Sequence, residues 1–336
     1  MPTLATSALT LTDAAKRTDP DGSTSLIAEL LSQTNEALQD VLWVPGNLPT
    51  GHQASIRTGL PTVYWRQINQ GVPASKSRTA QVTETCGRIE AWSEVDEALV
   101  ELYPDSERNA FRMTEAQAFI EAMSQEAMST LLYGNQLDNP EEITGLTTRY
   151  SSLSAENGEN IISAGSVTGS DEVSIWLVGW GDNTVFGVYP KNTRAGLEVN
   201  DLGKVTVETT AGIAGSRMRA YQMQFVWRCG LMVKDWRYAV RIANIDSSAL
   251  VGDGAGSTVK LLEYMTRAVH KIPNINACRP VFYAPRTVRA MLDVQAMNKA
   301  NVQLQVGQEE GRMKTTFHGI PIRTCDALIT GEGQAS

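Results

Sequence analysis

Histidine and cysteine are scarce. Across 336 residues there are three histidines, His52, His270 and His318, and four cysteines, Cys86, Cys229, Cys278 and Cys325. The cysteines form no C-x-x-C pair, and no histidine has a second ligand at metal-binding spacing, so no metal or redox motif is expected. A disulfide framework is not expected in a chain this long, and the thiols read as small buried or half-buried hydrophobes. No apolar run approaches bilayer-spanning length, because Gly, Arg or Gln interrupts each one; no membrane partner is expected. The opening Met1-Pro2-Thr3-Leu4 has no basic stretch followed by an apolar one, which excludes a secretory signal and leaves synthesis in a cytoplasm as the expectation. Positive charge is also short: 29 Lys and Arg stand against 37 Asp and Glu, a net of −8. That balance argues against a protein whose task is to grip nucleic acid over a broad basic face.

Catalytic motifs are missing too. G-x-S-x-G and H-E-x-x-H do not occur. Gly252-Asp253-Gly254-Ala255-Gly256-Ser257-Thr258 resembles a phosphate-cradling loop, but has no Gly-Lys-Ser/Thr and no strand feeding a G-x-G-x-x-G spacing. A flexible connection ending in a helix N-cap explains it better, and a nucleotide-using enzyme built on 252–258 remains a distant alternative. Ser257-Thr258-Val259-Lys260 matches S-x-x-K without its downstream S-D-N and K-T-G partners, as a chance match would. Glu94, Asp96 and Glu97 lie in an acid-rich stretch and read as a solvated face rather than an acid/base pair. Trp65-Arg66, Trp227-Arg228 and Trp236-Arg237 suggest base stacking, but alternation points each Trp inward and its Arg outward. No catalytic residue, cofactor or metal is therefore expected.

What is present is globular, with 42% apolar and 20% charged residues. Charge is segregated. Residues 46–90 carry Arg57, Arg66, Lys76, Arg78 and Arg88 against Glu84 and Glu90, a net of +3. Residues 91–130 carry nine acids against Arg108 and Arg112, a net of −7. A basic arm beside an acidic stretch invites pairing within or between subunits.

Residues 1–22 read as an arm, and apolar spacing predicts a helix over 23–42, ended by Pro45, Gly46 and Pro49. Thr62-Val63-Tyr64-Trp65-Arg66-Gln67-Ile68 and 79–88 read as the two strands of a long hairpin with a polar tip and little apolar surface. Met113, Ala116, Ile120, Met123, Ala127, Met128 and Leu131 mark a core-packed helix over about 105–134, roughly 40 Å long, with Gly134-Asn135 as a left-handed cap. Residues 173–189 read as a hairpin turning at Gly181-Asp182-Asn183-Thr184. A strand is expected over 204–209. Extended structure is expected over 217–245, with a bulge or turn at Gly230. From 252 onward helices (257–272, 287–298) alternate with strands (278–284, 302–306), and Gly319-Ile320-Pro321-Ile322 reads as a final edge strand.

Several stretches carry a family resemblance: Ser93-Glu94-Val95-Asp96, Phe119-Ile120-Glu121-Ala122-Met123 through Tyr133-Gly134-Asn135, Ile175-Trp176-Leu177-Val178-Gly179-Trp180-Gly181-Asp182, and Asp235-Trp236-Arg237-Tyr238 with Arg241-Ile242-Ala243-Asn244-Ile245. In this order the chain, from about Trp92 to Leu328, resembles the podovirus-type major capsid proteins of tailed bacteriophages. The resemblance implies an α+β, Hong Kong 97-type fold with an N-terminal arm and helix (1–45), an E-loop hairpin (46–90), a peripheral domain with a spine helix (91–250) and an axial domain with a C-terminal strand (251–336). It implies hexamers and pentamers in an icosahedral head shell, assembled in the bacterial cytoplasm around double-stranded DNA that is held without sequence specificity. A separate scaffolding protein, a portal protein and a cementing or decoration protein are the implied partners. Arg57, Arg66, Lys76 and Arg78 become the implied inter-subunit contacts, docking the E-loop on an acidic surface, such as the spine helix, of the adjacent copy. An encapsulin-like compartment shell is the alternative with the same fold.

Overall fold

A computed structural model of the chain describes residues 9, 33, 35–165, 171–208, 217–251, 260–298, 304–309 and 312–335. Fourteen strands run in chain order among them: β1 (Trp43–Pro45), β2 (Gly51–Gly59), β3 (Arg78–Thr85), β4 (Gly87–Asp96), β5 (Ile161–Ser163), β6 (Glu172–Trp180), β7 (Val185–Tyr189), β8 (Leu197–Glu208), β9 (Arg217–Val233), β10 (Ala239–Asp246), β11 (Arg279–Ala284), β12 (Leu304–Glu309), β13 (Arg312–Phe317) and β14 (Ile320–Thr324). The longest helix is Arg108–Tyr133, followed by Arg286–Asn298 and Leu261–Lys271. The chain divides into two compact units. The larger is drawn from Thr34–Gly87, Met128–Ala195 and Cys229–Ser336, and the smaller includes Arg88–Ala127 and Gly196–Arg228.

The larger unit is organised by β6. All nine of its residues are buried, which its near-continuous apolar run Val-Ser-Ile-Trp-Leu-Val-Gly-Trp requires of a strand covered on both faces. It pairs antiparallel with β10 on one side and with β11 on the other. Beyond β11 come β14, which pairs parallel to it, then β13 and β12, while β10 pairs parallel with β5. Val173, Ile175 and Leu177 pack with Leu261, Met265 and Ala268 of one helix and Val288 and Leu292 of another. Trp176, Val178 and Trp180 point the opposite way, into Ala37, Val41, Met128, Leu131 and Leu132. Each such large side chain contributes about 1.5–3 kcal/mol through burial.

Ion pairs fasten the residues before β1 to this sheet. Asp40 is buried and accepts from Arg279 Nη2 at 2.9 Å and from the Tyr283 hydroxyl at 3.1 Å. Arg323 Nε lies 2.7 Å from Asp40 Oδ2, an ion-pair contact not aligned as a hydrogen bond, while its Nη1 donates to Glu36 at 2.9 Å. Of the helix expected over 23–42, only Ala37–Asp40 is helical among the described residues, and residues 23–32 lie outside them. Pro45 closes strand β1 instead of stopping a helix, since β1 is taken up by β7.

In the smaller unit β8 and β9 form a twisted ribbon paired from Leu197↔Trp227 to Glu208↔Arg217. The long helix lays Ala116, Phe119 and Met123 on Phe225, Met223 and Trp227 of that ribbon and on Ile89 and Ala91 of β4. A ribbon covers only a narrow stripe. Met113 and Ile120, expected in the core, flank that stripe and are exposed.

Other expectations are corrected. Gly134-Asn135 is not a left-handed cap, since neither residue has positive φ. Glycine is needed there for close approach: a Cβ on Gly134 would stand 2.3 Å from the Ile143 carbonyl oxygen. The stretch 173–189 is not a true hairpin. β6 and β7 share only Trp180↔Val185 and then diverge to separate partners. Nor does the chain turn at Gly230. β9 runs through it and changes partner, from β8 up to Trp227 to β7 from Gly230, which shifts the apolar parity. The break comes at the 3-10 turn Trp236–Tyr238. β14 is not an edge strand, because β13, which alternation did not reveal, covers it. Pro321 is tolerated because it sits near the strand's start, before the Ile322–Thr324 pairing with β11. The glycine-rich loop 252–258 lies outside the described residues.

Candidate functional site

The hairpin is real but built from different residues than expected. β3 pairs with β2, from Gly51↔Thr85 to Gly59↔Arg78. The run 62–68, expected as its first strand, makes no ladder and forms the tip. Asn69, in the left-handed region at φ 68°, turns the chain there. Arg66 Nε donates to the Gln70 carbonyl at 2.8 Å, and the Ser75 hydroxyl to the Thr62 carbonyl at 2.7 Å, holding the two sides of the tip together.

The base is anchored in the larger unit. Ala54, Val82 and Cys86 pack with Phe186, Val188 and Met232. Arg149 grips Glu84 through two parallel bonds of 2.6 and 2.7 Å, and Gln136 Nε2 donates to Thr85 Oγ1 at 3.0 Å. A bidentate guanidinium–carboxylate pair fixes direction as well as distance. His52, edge-on to Phe186 with centroids 5.5 Å apart, has its pKa lowered by burial and by Lys234. The arm is thus stiff at its root.

Residues 61–80 are exposed without exception. The expectation for this arm is little apolar surface. Instead Leu60 (81%), Val63 (86%), Trp65 (103%) and Ile68 (91%) hold their side chains in solvent, with Tyr64 beside them. Trp65 is therefore not a core tryptophan. Alternation failed here because it assumes a sheet face that this segment lacks. The missed signal was compositional: five large apolar residues within nine positions of a stretch with no partner strand.

Arg57, Arg66, Lys76 and Arg78 all project from this arm, exposed and without a carboxylate partner among the described residues. The acidic stretch behaves differently. Glu97 accepts from Lys204 Nζ at 2.5 Å and lies 3.3 Å from Arg219 Nε, which together hold its carboxyl below the usual range. Glu94 accepts from Gln222 at 2.8 Å, and Glu121 from the Gln33 backbone at 2.9 Å. Arg112, from the same stretch, reaches Asp201 at 2.7 Å. Nothing catalytic converges: among the described residues no group of three or more His, Cys, Asp or Glu side chains is placed to hold a metal. Burial raises the thiols of Cys86 and Cys278 to about 11 and those of Cys229 and Cys325 to about 12, so none is an activated nucleophile.

A rigid-rooted, exposed hairpin, a long helix and a β-rich core with flanking helices define the Hong Kong 97-type fold of phage shell proteins. The chain aligns over 100% of its length with 99% of a chain from the near-atomic structure of bacteriophage Epsilon15, at 30% identity and a TM-score of 0.78. It also matches the bacteriophage JBD30 capsid at 9% identity and a TM-score of 0.50, covering 90% of this chain and 95% of that one, a likeness of fold alone. A Synechococcus elongatus encapsulin matches at 14% identity over 71% of this chain and 97% of its own, but its TM-score of 0.41 carries no argument. No curated protein sequence matches. The profile of the family described as major capsid protein GP7 matches residues 19–336, and the chain belongs to that family. It is a structural subunit of the virion head, not an enzyme, and it assembles with copies of itself.

Proposed function

We propose that the arm 51–85 reaches onto the adjacent copy in an icosahedral shell of hexamers and pentamers, where Arg57, Arg66, Lys76 and Arg78 meet carboxylates and the tip buries its apolar residues. The carrying observation is the imbalance within one subunit: four exposed cations lack a carboxylate partner among the described residues, beside five exposed apolar side chains. Exposed apolar clusters rimmed by charge mark association sites. The flank of the long helix, with Met113 and Ile120 exposed among the acids of 91–130, offers matching chemistry on a neighbour. In this reading the hairpin is the E-loop, Arg108–Tyr133 the spine helix, and the segment beyond 251 belongs to the axial domain. The shell encloses double-stranded DNA without gripping it, in keeping with the net charge of −8. A scaffolding protein and a portal protein complete assembly in the host cytoplasm, with a cementing protein as a further partner.

The test is Arg57→Glu, Arg66→Glu and Arg78→Glu together, examined by negative-stain electron microscopy alongside a thermal melt. The reading expects an unchanged melt and no closed particles. Normal particles from this variant refute it.

A further inference from the structure

The segment Gly331–Ala335 lies on the larger unit as a ligand lies in a site. Gly331, at φ 89°, lets its own N–H and that of Glu332 reach a single acceptor, the Glu172 carbonyl, at 2.8 and 3.1 Å. The Glu332 carboxylate then enters a polar pocket. It accepts from Arg241 Nη2 at 2.8 Å and from the hydroxyls of Ser174 and Tyr133. Each of the other two Arg241 nitrogens also donates, Nε to Ser174 at 3.1 Å and Nη1 to the Tyr150 carbonyl at 2.8 Å. Both partners of this ion pair are only 2% exposed.

Three residues on, the segment is read a second time. Asn244, at φ 59° in the bulge of β10, accepts from the Ala335 N–H at 3.1 Å and donates to the Ala335 carbonyl at 3.2 Å. Between these points the Gln334 amide donates to Glu172 Oε1 at 3.0 Å. Gly331, Gly333 and Gln334 face solvent while Glu332 and Ala335 are buried. Backbone pairing combined with two side-chain pockets is how extended peptides are recognised.

We infer that the surface framed by Tyr133, Glu172, Ser174, Arg241 and Asn244 is a peptide-binding site, filled in cis by Gly331–Ala335. Its ligand class is an extended peptide with a carboxylate side chain followed, three positions later, by a small residue. Occupancy fixes Tyr133, the last residue of the long helix, whose hydroxyl also accepts from the Ile329 N–H at 3.1 Å. Vacancy leaves Arg241 buried without its counter-charge, so the segment acts as a latch that completes the subunit. The inference is independent of the arm reading, since it concerns a single subunit.

The test inserts a specific protease sequence between Thr330 and Gly331 of the full chain, both exposed. After cleavage of the folded subunit and removal of the released segment, a fluorescent peptide of residues 331–335 is titrated by anisotropy. The wild-type peptide is expected to bind and to raise the melting temperature. The Glu332→Gln peptide should bind at least about 30-fold more weakly, because it leaves Arg241 uncompensated. If cleavage unfolds the subunit, refolding should be recovered by the wild-type peptide and not by the Gln peptide. Equal action of the two peptides, no action by either, or a melting temperature unchanged by removal of the segment overturns the inference.

Discussion

Replacing Asp40 with Ala tests whether the residues before β1 are held by charge. The carboxylate is buried and faces Arg279, Arg323 and the Tyr283 hydroxyl, which in turn accepts from Trp180 Nε1 at 2.7 Å. Removing one partner of a buried pair costs about 3–5 kcal/mol, because the other charge is left uncompensated. Two features lower that figure. Arg279 has a side chain 63% exposed, so water replaces much of its share, and Arg323 keeps Glu36 at 2.9 Å. What remains is a lost ion pair to Arg323 and a core tyrosine hydroxyl without its acceptor. The expected loss is about 2–4 kcal/mol. Urea unfolding of the subunit, followed by tryptophan fluorescence and by circular dichroism, measures it, with the slope expected to stay constant. The Arg279→Ala control should lose less than about 1 kcal/mol. A loss below about 1 kcal/mol for Asp40→Ala would refute the reasoning and shift the anchorage to the Glu36–Arg323 pair and the apolar contacts at Ala37 and Val41.

Trp65→Ser removes a fully exposed side chain, so the melt should hold within about 0.5 kcal/mol while particle yield falls; unchanged yield by quantitative electron microscopy would remove the tip from the interface. Cys229 and Cys325, buried and with pKa pushed up to about 12, should resist maleimide at neutral pH until urea unfolds the chain, as mass spectrometry would report. Glu97 has its pKa lowered from 4.5 by its bond from Lys204 and by Arg219, so its contribution is present above pH 4.5 and is lost as pH falls through the lower folded value. The melting curves of wild type and Glu97→Gln should therefore separate at neutral pH and converge on acidification; curves that stay parallel would contradict the assignment.

Local signals carried far where one residue type served one purpose. The 26-residue helix was legible because apolar spacing persists across it, and β6 because a strand buried on both faces reads as a near-continuous apolar run from Ile175 to Trp180. Signals failed where the partner lay elsewhere in the chain. The β-branched and aromatic residues of 62–68 predict the first arm strand there, yet propensity measures fit to a pleated surface that the tip does not have. β3 instead takes the Gly51–Gly59 run, whose propensity is ordinary and whose register is set by anchorage at Ala54. Arg57, Arg66, Lys76 and Arg78 could be read as an exposed basic group from charge alone, whereas the exposure of Trp65 could not.

The sequence by itself determined the long helix and the buried central strand, because short-range periodicity is a sum over neighbours in the chain, and it pointed to the class of protein through the stretches that resemble a known family. The tertiary structure decided which strands pair, which of the helix's apolar residues face solvent, and that Glu332 neutralises Arg241 across 91 positions. A buried charge must find its counter-charge in space, and contacts that close long loops leave no periodic trace in the chain.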